Sequence, residues 1–251
     1  MVPTTMRRGR TLLIFAGFAA AFAWGAAMGA YQVFPYELIR QAKNRIDGDD
    51  GGARSFFTNP DAFAAADADL ILDTRADVVM LGDSVTAGGR WQELFPGADI
   101  VNRGVGGDTL TGIVRRAPRI AGMRPRQVFV MIGINDIVSG NLPEEVLPLY
   151  DRAVQLLRSG GAQVFVQPSL ACGARCTDAQ RERQRRINAA LPGIAARHGA
   201  VWIDLNRTMA AGGRLRPDYT WDGIHLTGAG YAAWREALQP FVAPRQASEA
   251  S

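Results

Sequence analysis

Short apolar runs recur from residue 77 onwards, and longer segments of different pattern separate them. Five of these runs have the length of a buried strand, and they cover residues 77–81, 98–101, 127–132, 162–166 and 200–204. Intervening segments with helical character cover residues 109–121, 143–159, 178–198 and 228–242. Strands that alternate with helices indicate parallel βαβ units. The pattern therefore predicts an α/β protein, a three-layer α/β/α sandwich around a central five-stranded parallel sheet.

The N-terminal segment has a different pattern. Residues 11–33 contain no charged side chain and follow Arg7, Arg8 and Arg10. About 20 apolar residues in a helix cross a hydrocarbon core of ~30 Å, and positive flanks stay in the cytoplasm. We expect residues 1–33 to be a signal anchor, a single-pass transmembrane helix in the inner membrane with the catalytic domain in the periplasm or outside. A cleaved signal peptide is the alternative, and it would make the protein secreted.

Composition divides the rest of the chain into three parts. Residues 34–54 are polar and rich in glycine and aspartate, which predicts a linker or stalk. Residues 55–245 show no further change of composition and are expected to form one domain of sufficient size for a full core. Residues 246–251 are expected to be a disordered tail. The sequence carries no signal for the oligomeric state.

Charge and residue counts exclude several classes of function. The net charge is +4, and three of these charges belong to the N-terminal arginines, so the domain is nearly neutral. It has no basic stripe interleaved with aromatic residues, which argues against a nucleic-acid partner. Lys43 is the only lysine, which excludes a Walker-type phosphate loop from the domain. Two cysteines cannot form a four-thiolate zinc site, and we expect no metal.

Polar or glycine-rich segments follow the predicted strands. They are residues 82–84, 102–108, 133–136 and, in the long loop after the fifth strand, 222–225. Ligands of parallel α/β sheets bind at the carboxyl ends of the strands. We therefore expect these four segments to meet at one edge of the sheet and to form the functional site.

Ser84 is the candidate nucleophile of that site because it lies at a strand-to-helix turn. A serine hydroxyl needs a general base in hydrogen-bond reach, and that base needs a group that orients it. The chain has two histidines, His198 and His225. His198 lies where a helix ends before the fifth strand, at the other end of the sheet, so His225 is the preferred base. Asp222 lies three residues earlier and can accept the second ring N–H of His225.

Acyl transfer also needs donors for an oxyanion. The backbone N–H of Ser84, an N–H in the glycine-rich loop 104–107 and the side chain of Asn135 are the candidates. Structural roles compete with this interpretation, since Asn135 and its neighbour Asp136 could cap the helix that follows them. Asp108 could cap the helix after the second strand in the same way.

Taken together, the four segments resemble the sequence blocks of the SGNH hydrolases, also called GDSL-type esterases and lipases. The blocks are Gly82-Asp83-Ser84-Val85, the segment 102–109, Gly133-Ile134-Asn135-Asp136 and Asp222-Gly223-Ile224-His225-Leu226. The resemblance covers about residues 75–242. The close spacing of the first two blocks is similar to the acetylhydrolase branch related to the catalytic subunits of platelet-activating-factor acetylhydrolase.

The resemblance implies a flavodoxin-like SGNH hydrolase fold and a role for each matched residue. Ser84 would be the nucleophile, His225 the base and Asp222 its orienting acid. The N–H groups of Ser84 and Gly107 and the side chain of Asn135 would form the oxyanion hole. No organic cofactor is implied.

The function that this resemblance implies is serine-dependent hydrolysis of carboxylic esters outside the cytoplasmic membrane. The expected substrate is a small-molecule or saccharide ester, or an ester of the cell envelope, from which a short acyl group such as acetyl is removed. A lysophospholipase or thioesterase on lipid acyl esters is the alternative. A non-catalytic binding protein would predict a broken triad, whereas all five implied residues are present.

Cys172 and Cys176 form a C-x3-C motif in a segment that is typical of a loop. In an oxidising compartment two such cysteines can form a local disulfide, and export of the domain would provide that compartment. Two free thiols in a loop are the alternative.

Overall fold

A computed structural model describes residues 76–245 of the chain, and five strands form its central sheet. They are β1 (Val78–Gly82), β2 (Ile100–Gly104), β3 (Gln127–Met131), β4 (Gln163–Gln167) and β5 (Val201–Trp202). All neighbouring strands are parallel, in the order β2-β1-β3-β4-β5. The predicted five-stranded parallel sheet is confirmed.

Helices occupy the connections between the strands. They are α1 (Ser84–Ala87), α2 (Trp91–Leu94), α3 (Leu110–Gly122), α4 (Ile134–Val138), α5 (Pro143–Arg158), α6 (Asp178–Arg197), α7 (Asn206–Met209) and α8 (Gly228–Leu238). A short hairpin, β6 (Ala210–Ala211) and β7 (Arg214–Leu215), and a 3₁₀ turn at Pro217–Tyr219 lie between α7 and α8.

The centres of strands β1, β3 and β4 are apolar on both sides because both faces of the sheet are covered. Successive side chains of a strand point to opposite faces. On one face, Val79 and Leu81 of β1 belong to a core that also contains residues of α3, α5 and α6. On the other face, Val78 and Met80 belong to a second core with residues of α2, α7 and α8. The sheet and the helices packed on each of its two faces form the three layers.

The edge strands differ from their predicted bounds. The second strand, predicted over 98–101, runs to Gly104, so the polar Asn102 is part of β2 and pairs with Met80. Its amide donates hydrogen bonds to the carbonyl of Ala87, the last residue of α1, and to that of Gly89, which explains a polar residue there. The fifth strand, predicted over 200–204, is reduced to two residues.

Three segments predicted from the sequence lie outside the described residues. They are the signal anchor at 1–33, the linker at 34–54 and the tail at 246–251. Within residues 76–245, no helix combines the length and the apolar character that a membrane crossing requires.

Candidate active site

The turn that carries Ser84 is fixed by its neighbours. The side chain of Asp83 caps α1 by accepting a hydrogen bond of 2.9 Å from the N–H of Val85. Ser84 is the first residue of that helix, directly after the end of β1. A Cβ at Gly82 would lie 2.2 Å from the carbonyl oxygen of Met131 and 2.3 Å from Oγ1 of Thr86, so the position has no room for a larger residue. The hydroxyl of Ser84 is therefore presented at the carboxyl edge of the sheet.

Ser84, His225 and Asp222 form a continuous series of hydrogen bonds. Oγ of Ser84 lies 3.0 Å from Nε2 of His225, and Nδ1 of His225 lies 2.8 Å from Oδ2 of Asp222. Oδ1 of Asp222 accepts from the backbone N–H groups of Ile224 and His225, at 2.9 and 2.7 Å. These two bonds close the segment into a turn, so a spacing of three residues brings acid and base together.

His198 lies elsewhere in the fold. It caps the C-terminus of α6, where Gly199 follows with a φ of +60°. Its Nε2 lies 3.1 Å from Oδ1 of Asp151, which belongs to α5. This position precedes β5 at the amino edge of the sheet, in agreement with the expectation that His225 alone meets Ser84.

The carboxyl group of Asp222 stays ionised under ordinary conditions. Its partial burial opposes the charge, but the hydrogen bonds from the His225 ring, from the N–H groups of His225 and Ile224 and from Arg175 outweigh that effect. Together they hold the pKa of Asp222 well below its ordinary value. The group can therefore face an imidazolium ion as a carboxylate.

The segments expected to supply oxyanion donors are tied together at the same edge. Gly107 has a φ of +77°, a backbone conformation that favours glycine. The N–H of Val105, in the same loop, donates to the carbonyl of Gly82 at 3.0 Å. Nδ2 of Asn135 donates to the carbonyl of Asp108 at 2.8 Å. The end of β1 and the segments after β2 and β3 are thus joined by hydrogen bonds.

Two carboxylates near the site have structural partners. Asp136 accepts from the N–H of Leu110 at 3.1 and 3.3 Å, so it caps α3 rather than its own helix α4. Asp108 accepts from the N–H of Thr109 at 2.9 Å and forms a buried ion pair of 2.6 Å with Arg116. The predicted cap of the following helix, α4, is therefore wrong for Asp136, whose carboxylate caps the preceding helix α3 instead.

Burial perturbs two acids of this cluster. Loss of hydration raises the pKa of Asp83 to about 7, and the charges of Asp108 and Asp136 add to the effect. Burial likewise raises the pKa of Asp136 to about 6, against the opposing hydrogen bonds from Leu110 and Asn141. Both groups therefore change charge near neutral pH.

A disulfide-closed loop packs against the turn that carries Asp222. Cys172 and Cys176 are bonded to each other. Between them, Gly173 donates its N–H to the carbonyl of Gly223 at 2.7 Å, and Nη1 of Arg175 donates to Oδ2 of Asp222 at 2.7 Å. Arg175 is not among the site residues expected from the sequence. A charged residue inside a C-x3-C motif was the available signal, because so small a ring must turn that side chain outwards.

Trp221 lies against His225. The two rings are stacked, with centroids 5.4 Å apart and an interplanar angle of 15°, and the tryptophan is 69% exposed. Trp221 is likewise absent from the residues expected from the sequence, although it directly precedes Asp222. Its position provides a flat aromatic surface at the mouth of the site.

A small cavity lies next to the segments that carry Ser84 and His225. Its lining is mainly apolar and consists of Val85, Met131, Ile134, Leu170 and Ile224, together with Asp83 and Ser169. Two of these residues adjoin Ser84 in sequence and one adjoins His225. Among residues 76–245, no group of three or more His, Cys, Asp or Glu side chains is arranged to hold a metal ion.

Comparison with known proteins identifies the family. The model of the GDSL-like Lipase/Acylhydrolase family matches residues 80–233. The chain is 28% identical over 183 residues to platelet-activating factor acetylhydrolase IB subunit alpha2 of Rattus norvegicus, covering 68% of this chain and 77% of the relative.

Solved structures show the same fold. A GDSL-like lipase of Bacteroides thetaiotaomicron is 22% identical, with a TM-score of 0.62 over 73% of this chain and 97% of that one. The acetyl xylan esterase AlAXEase is 17% identical, with a TM-score of 0.57 over 66% and 97%. The parallel sheet, the polar segments at the strand ends and the family match all point to the same family. The chain belongs to the GDSL-like lipase/acylhydrolase (SGNH hydrolase) family, as a hydrolase that acts on ester bonds.

Proposed function

We propose that the protein hydrolyses short-chain carboxylic esters with Ser84 as the nucleophile, through an acyl-enzyme. The observation that carries this proposal is the series of hydrogen bonds from Ser84 through His225 to Asp222. A serine paired with a histidine whose second nitrogen faces a carboxylate is the arrangement that activates a hydroxyl for acyl transfer.

In the first half of the reaction, Oγ of Ser84 attacks the ester carbonyl while Nε2 of His225 removes its proton. The carboxylate of Asp222 stabilises the imidazolium that forms. The N–H groups of Ser84 and Gly107 and the side chain of Asn135 stabilise the tetrahedral oxyanion. Collapse of this intermediate expels the alcohol, which takes the proton from His225 and leaves the acyl group on Ser84.

In the second half, His225 removes a proton from water, and the resulting hydroxide attacks the acyl carbonyl. The second tetrahedral intermediate uses the same donors. Its collapse breaks the bond to Oγ, and His225 returns the proton to Ser84. The carboxylic acid leaves, and the site regains its starting state.

The substrate class that we propose is an acetyl or similarly short ester on a saccharide or an envelope polymer. The exposed ring of Trp221 offers a surface on which the apolar face of a sugar can pack. Relatives named for acetylhydrolase and acetyl xylan esterase activity are consistent with this choice.

We further propose that the domain works outside the cytoplasmic membrane. The charged and apolar pattern of residues 1–33 supports export. The bond between Cys172 and Cys176 is of a kind that persists in oxidising compartments and is rare in the cytosol.

Two assays test the proposal. Ser84→Ala in the full chain should lower the hydrolysis of p-nitrophenyl acetate by at least ~10³-fold with an unchanged circular dichroism spectrum. Full activity in that variant would contradict the assignment. A series of p-nitrophenyl esters should show a preference for two to four carbons, whereas a preference for eight or more would favour the lysophospholipase or thioesterase alternative.

A further inference from the structure

We propose that Arg175 is a positioning residue for the triad, held against Asp222 by the disulfide-closed ring of residues 172–176. The inference rests on the proposed function, because it concerns how the acid of that triad is fixed. Arg175 and Asp222 are 47 positions apart in the sequence, so only the fold brings them into contact.

The disulfide-closed ring packs against the turn that carries Asp222 and His225. The N–H of Gly173 donates to the carbonyl of Gly223 at 2.7 Å. A Cβ at Gly173 would lie 2.8 Å from Cα of Gly223, so the two backbones touch as only glycine permits. Gly223 itself has a φ of +89°, which shapes the turn toward the ring. Ring and turn are therefore in direct backbone contact.

Helix α6 holds the ring from its other side. Arg181 donates to the carbonyls of Gly173 and Cys176, with its Nη1 3.0 Å from the former. Oε1 of Gln184 accepts from the N–H of Cys172 at 2.8 Å. Because α6 is a helix of 20 residues packed on the sheet, these bonds fix the ring to a rigid element.

The disulfide forms the apolar base of the ring. Cys172 and Cys176 are both buried and pack in one small cluster with Ile134 and Ile224. Ile134 immediately precedes Asn135, and Ile224 immediately precedes His225. The sulfur atoms thus lie against two segments that carry proposed catalytic groups.

Arg175 completes the coordination of the Asp222 carboxylate. Oδ1 of Asp222 accepts two backbone N–H groups, whereas Oδ2 accepts from the His225 ring and from Nη1 of Arg175. The side chain of Asp222 is only 10% exposed and that of Arg175 is 58% exposed. An exposed ion pair contributes little when both partners move freely. Here the ring restricts the arginine backbone, which lowers the entropy cost of holding the contact.

The arginine also sets the electrostatics of the base. Within residues 76–245, the titratable or charged side chains in contact with the His225–Asp222 pair are Ser84 from α1 and Arg175 from the ring. Trp221 is the neutral aromatic neighbour. A positive charge beside Asp222 disfavours an imidazolium at His225 by Coulomb repulsion. Removal of that charge should therefore make protonation of the base easier.

Kinetics of Arg175→Met in the full chain test the proposal. We expect kcat for p-nitrophenyl acetate to fall about tenfold with little change in KM, because the acid is less well oriented. The acidic limb of the kcat/KM profile should move up by about half a pH unit. Arg175→Lys should restore part of the loss, since it keeps the charge. Arg185→Met is the matched control, because Arg185 forms an exposed pair with Glu182 on α6 and should behave as wild type.

Removal of the disulfide provides a second, independent test. The double variant Cys172→Ala/Cys176→Ala should reproduce the kinetic change of Arg175→Met, and adding Arg175→Met to it should cause little further loss. Fully additive effects, or a pH profile of Arg175→Met that superposes on wild type, would overturn the proposal. If the cysteine variant does not fold, the pH profile of Arg175→Met alone tests the proposal.

Ser84→Ala distinguishes failure of this proposal from failure of the proposed function. An inactive Ser84→Ala with an unaffected Arg175→Met contradicts only the role of Arg175. An active Ser84→Ala contradicts the proposed function.

Discussion

At the scale of single residues, two kinds of carboxylate surround the proposed nucleophile. Asp222 is held ionised by four donors, whereas Asp83, directly before Ser84, is buried and has its pKa raised to about 7. The difference follows from hydrogen bonding, since Asp83 accepts from the N–H of Val85 and gains too little to offset its lost hydration. One acid is suited to stabilise a cation, and the other is a site where folding and pH are coupled.

Asp83→Asn should therefore change the pH dependence of stability. The folded state binds the proton of Asp83 more tightly than the unfolded state, so the contribution of Asp83 is full below about pH 4 and is lost as pH rises through about 7. Between pH 5 and 8, the free energy of unfolding of wild type should fall by about 2–3 kcal/mol more than that of the variant. Urea denaturation at both pH values measures the difference, and parallel pH dependences of the two proteins would contradict it.

The two histidines provide a matched pair for activity. His225→Gln should lower kcat/KM by about 10³-fold, because glutamine cannot accept the proton of Ser84. His198→Gln should stay within about twofold of wild type, since His198 contacts Asp151 on α5 and not the site. A comparable loss in both variants would show that structural damage, rather than base catalysis, explains the effect. The measurement is the rate of p-nitrophenyl acetate hydrolysis by the two variants and by wild type.

Residue chemistry explains which parts of the site could be read from the sequence. Serine at a strand end and a histidine three residues after an aspartate are local patterns, and only two histidines competed for the role of base. Arg175 and Trp221 could not be predicted in the same way. Their relevance depends on contacts made after folding, and arginine and tryptophan are compatible with many exposed positions.

At the scale of elements, the central strands were easier to predict than the edges. Strands β1, β3 and β4 are buried on both faces, which produces an unbroken apolar run. Strand β2 lies at an edge, and its second half contains Asn102 and Arg103. The amide of Asn102 donates to the carbonyl of Gly89 outside the sheet, and Arg103 donates to the carbonyl of Asn102. Periodicity alone cannot detect a strand whose polar positions are satisfied by loops.

Contact between β2 and α1 predicts a mutational effect at Gly104. A Cβ at that position would lie 2.2 Å from the backbone nitrogen of Ala87, the last residue of α1. Gly104→Ala should therefore push α1 away from β2 and displace Ser84 from His225, with a loss of about 10²-fold in kcat/KM. Gly97→Ala is the control, because a Cβ there has no neighbour within 4 Å. Equal activity of the two variants in the p-nitrophenyl acetate assay would contradict this account.

At the scale of the whole molecule, the mildly basic net charge has two components. Three positive charges precede the apolar segment 11–33, where they are the basis of the proposed topology, while the domain after residue 54 is nearly neutral. The fold and the family account for the chemistry of that domain. They do not determine the compartment, because the same fold can operate on either side of a membrane; the compartment depends on the N-terminal segment.

The expected anchor gives a prediction for the complete chain. In cells, the full chain should remain in the membrane fraction after extraction at high pH, since about 20 apolar residues anchor a protein stably. A variant without residues 1–33 should appear in the soluble fraction. Recovery of the full chain as a soluble protein that has lost its N-terminus would instead favour the cleaved signal peptide. Fractionation followed by mass measurement of the intact protein distinguishes the two.

Trp221 gives the site an optical reporter. The chain has five tryptophans, four of them among the described residues. Trp91 and Trp234 are buried and Trp202 is partly buried, whereas the indole of Trp221 is exposed and stacked on the imidazole of His225. A protonated imidazole quenches indole emission by accepting an excited electron far better than a neutral one does. The emission of Trp221 should therefore follow the protonation of the base directly, without any substrate. A sugar that packs on the same ring would change the emission intensity, so binding to the site could be measured in the absence of turnover.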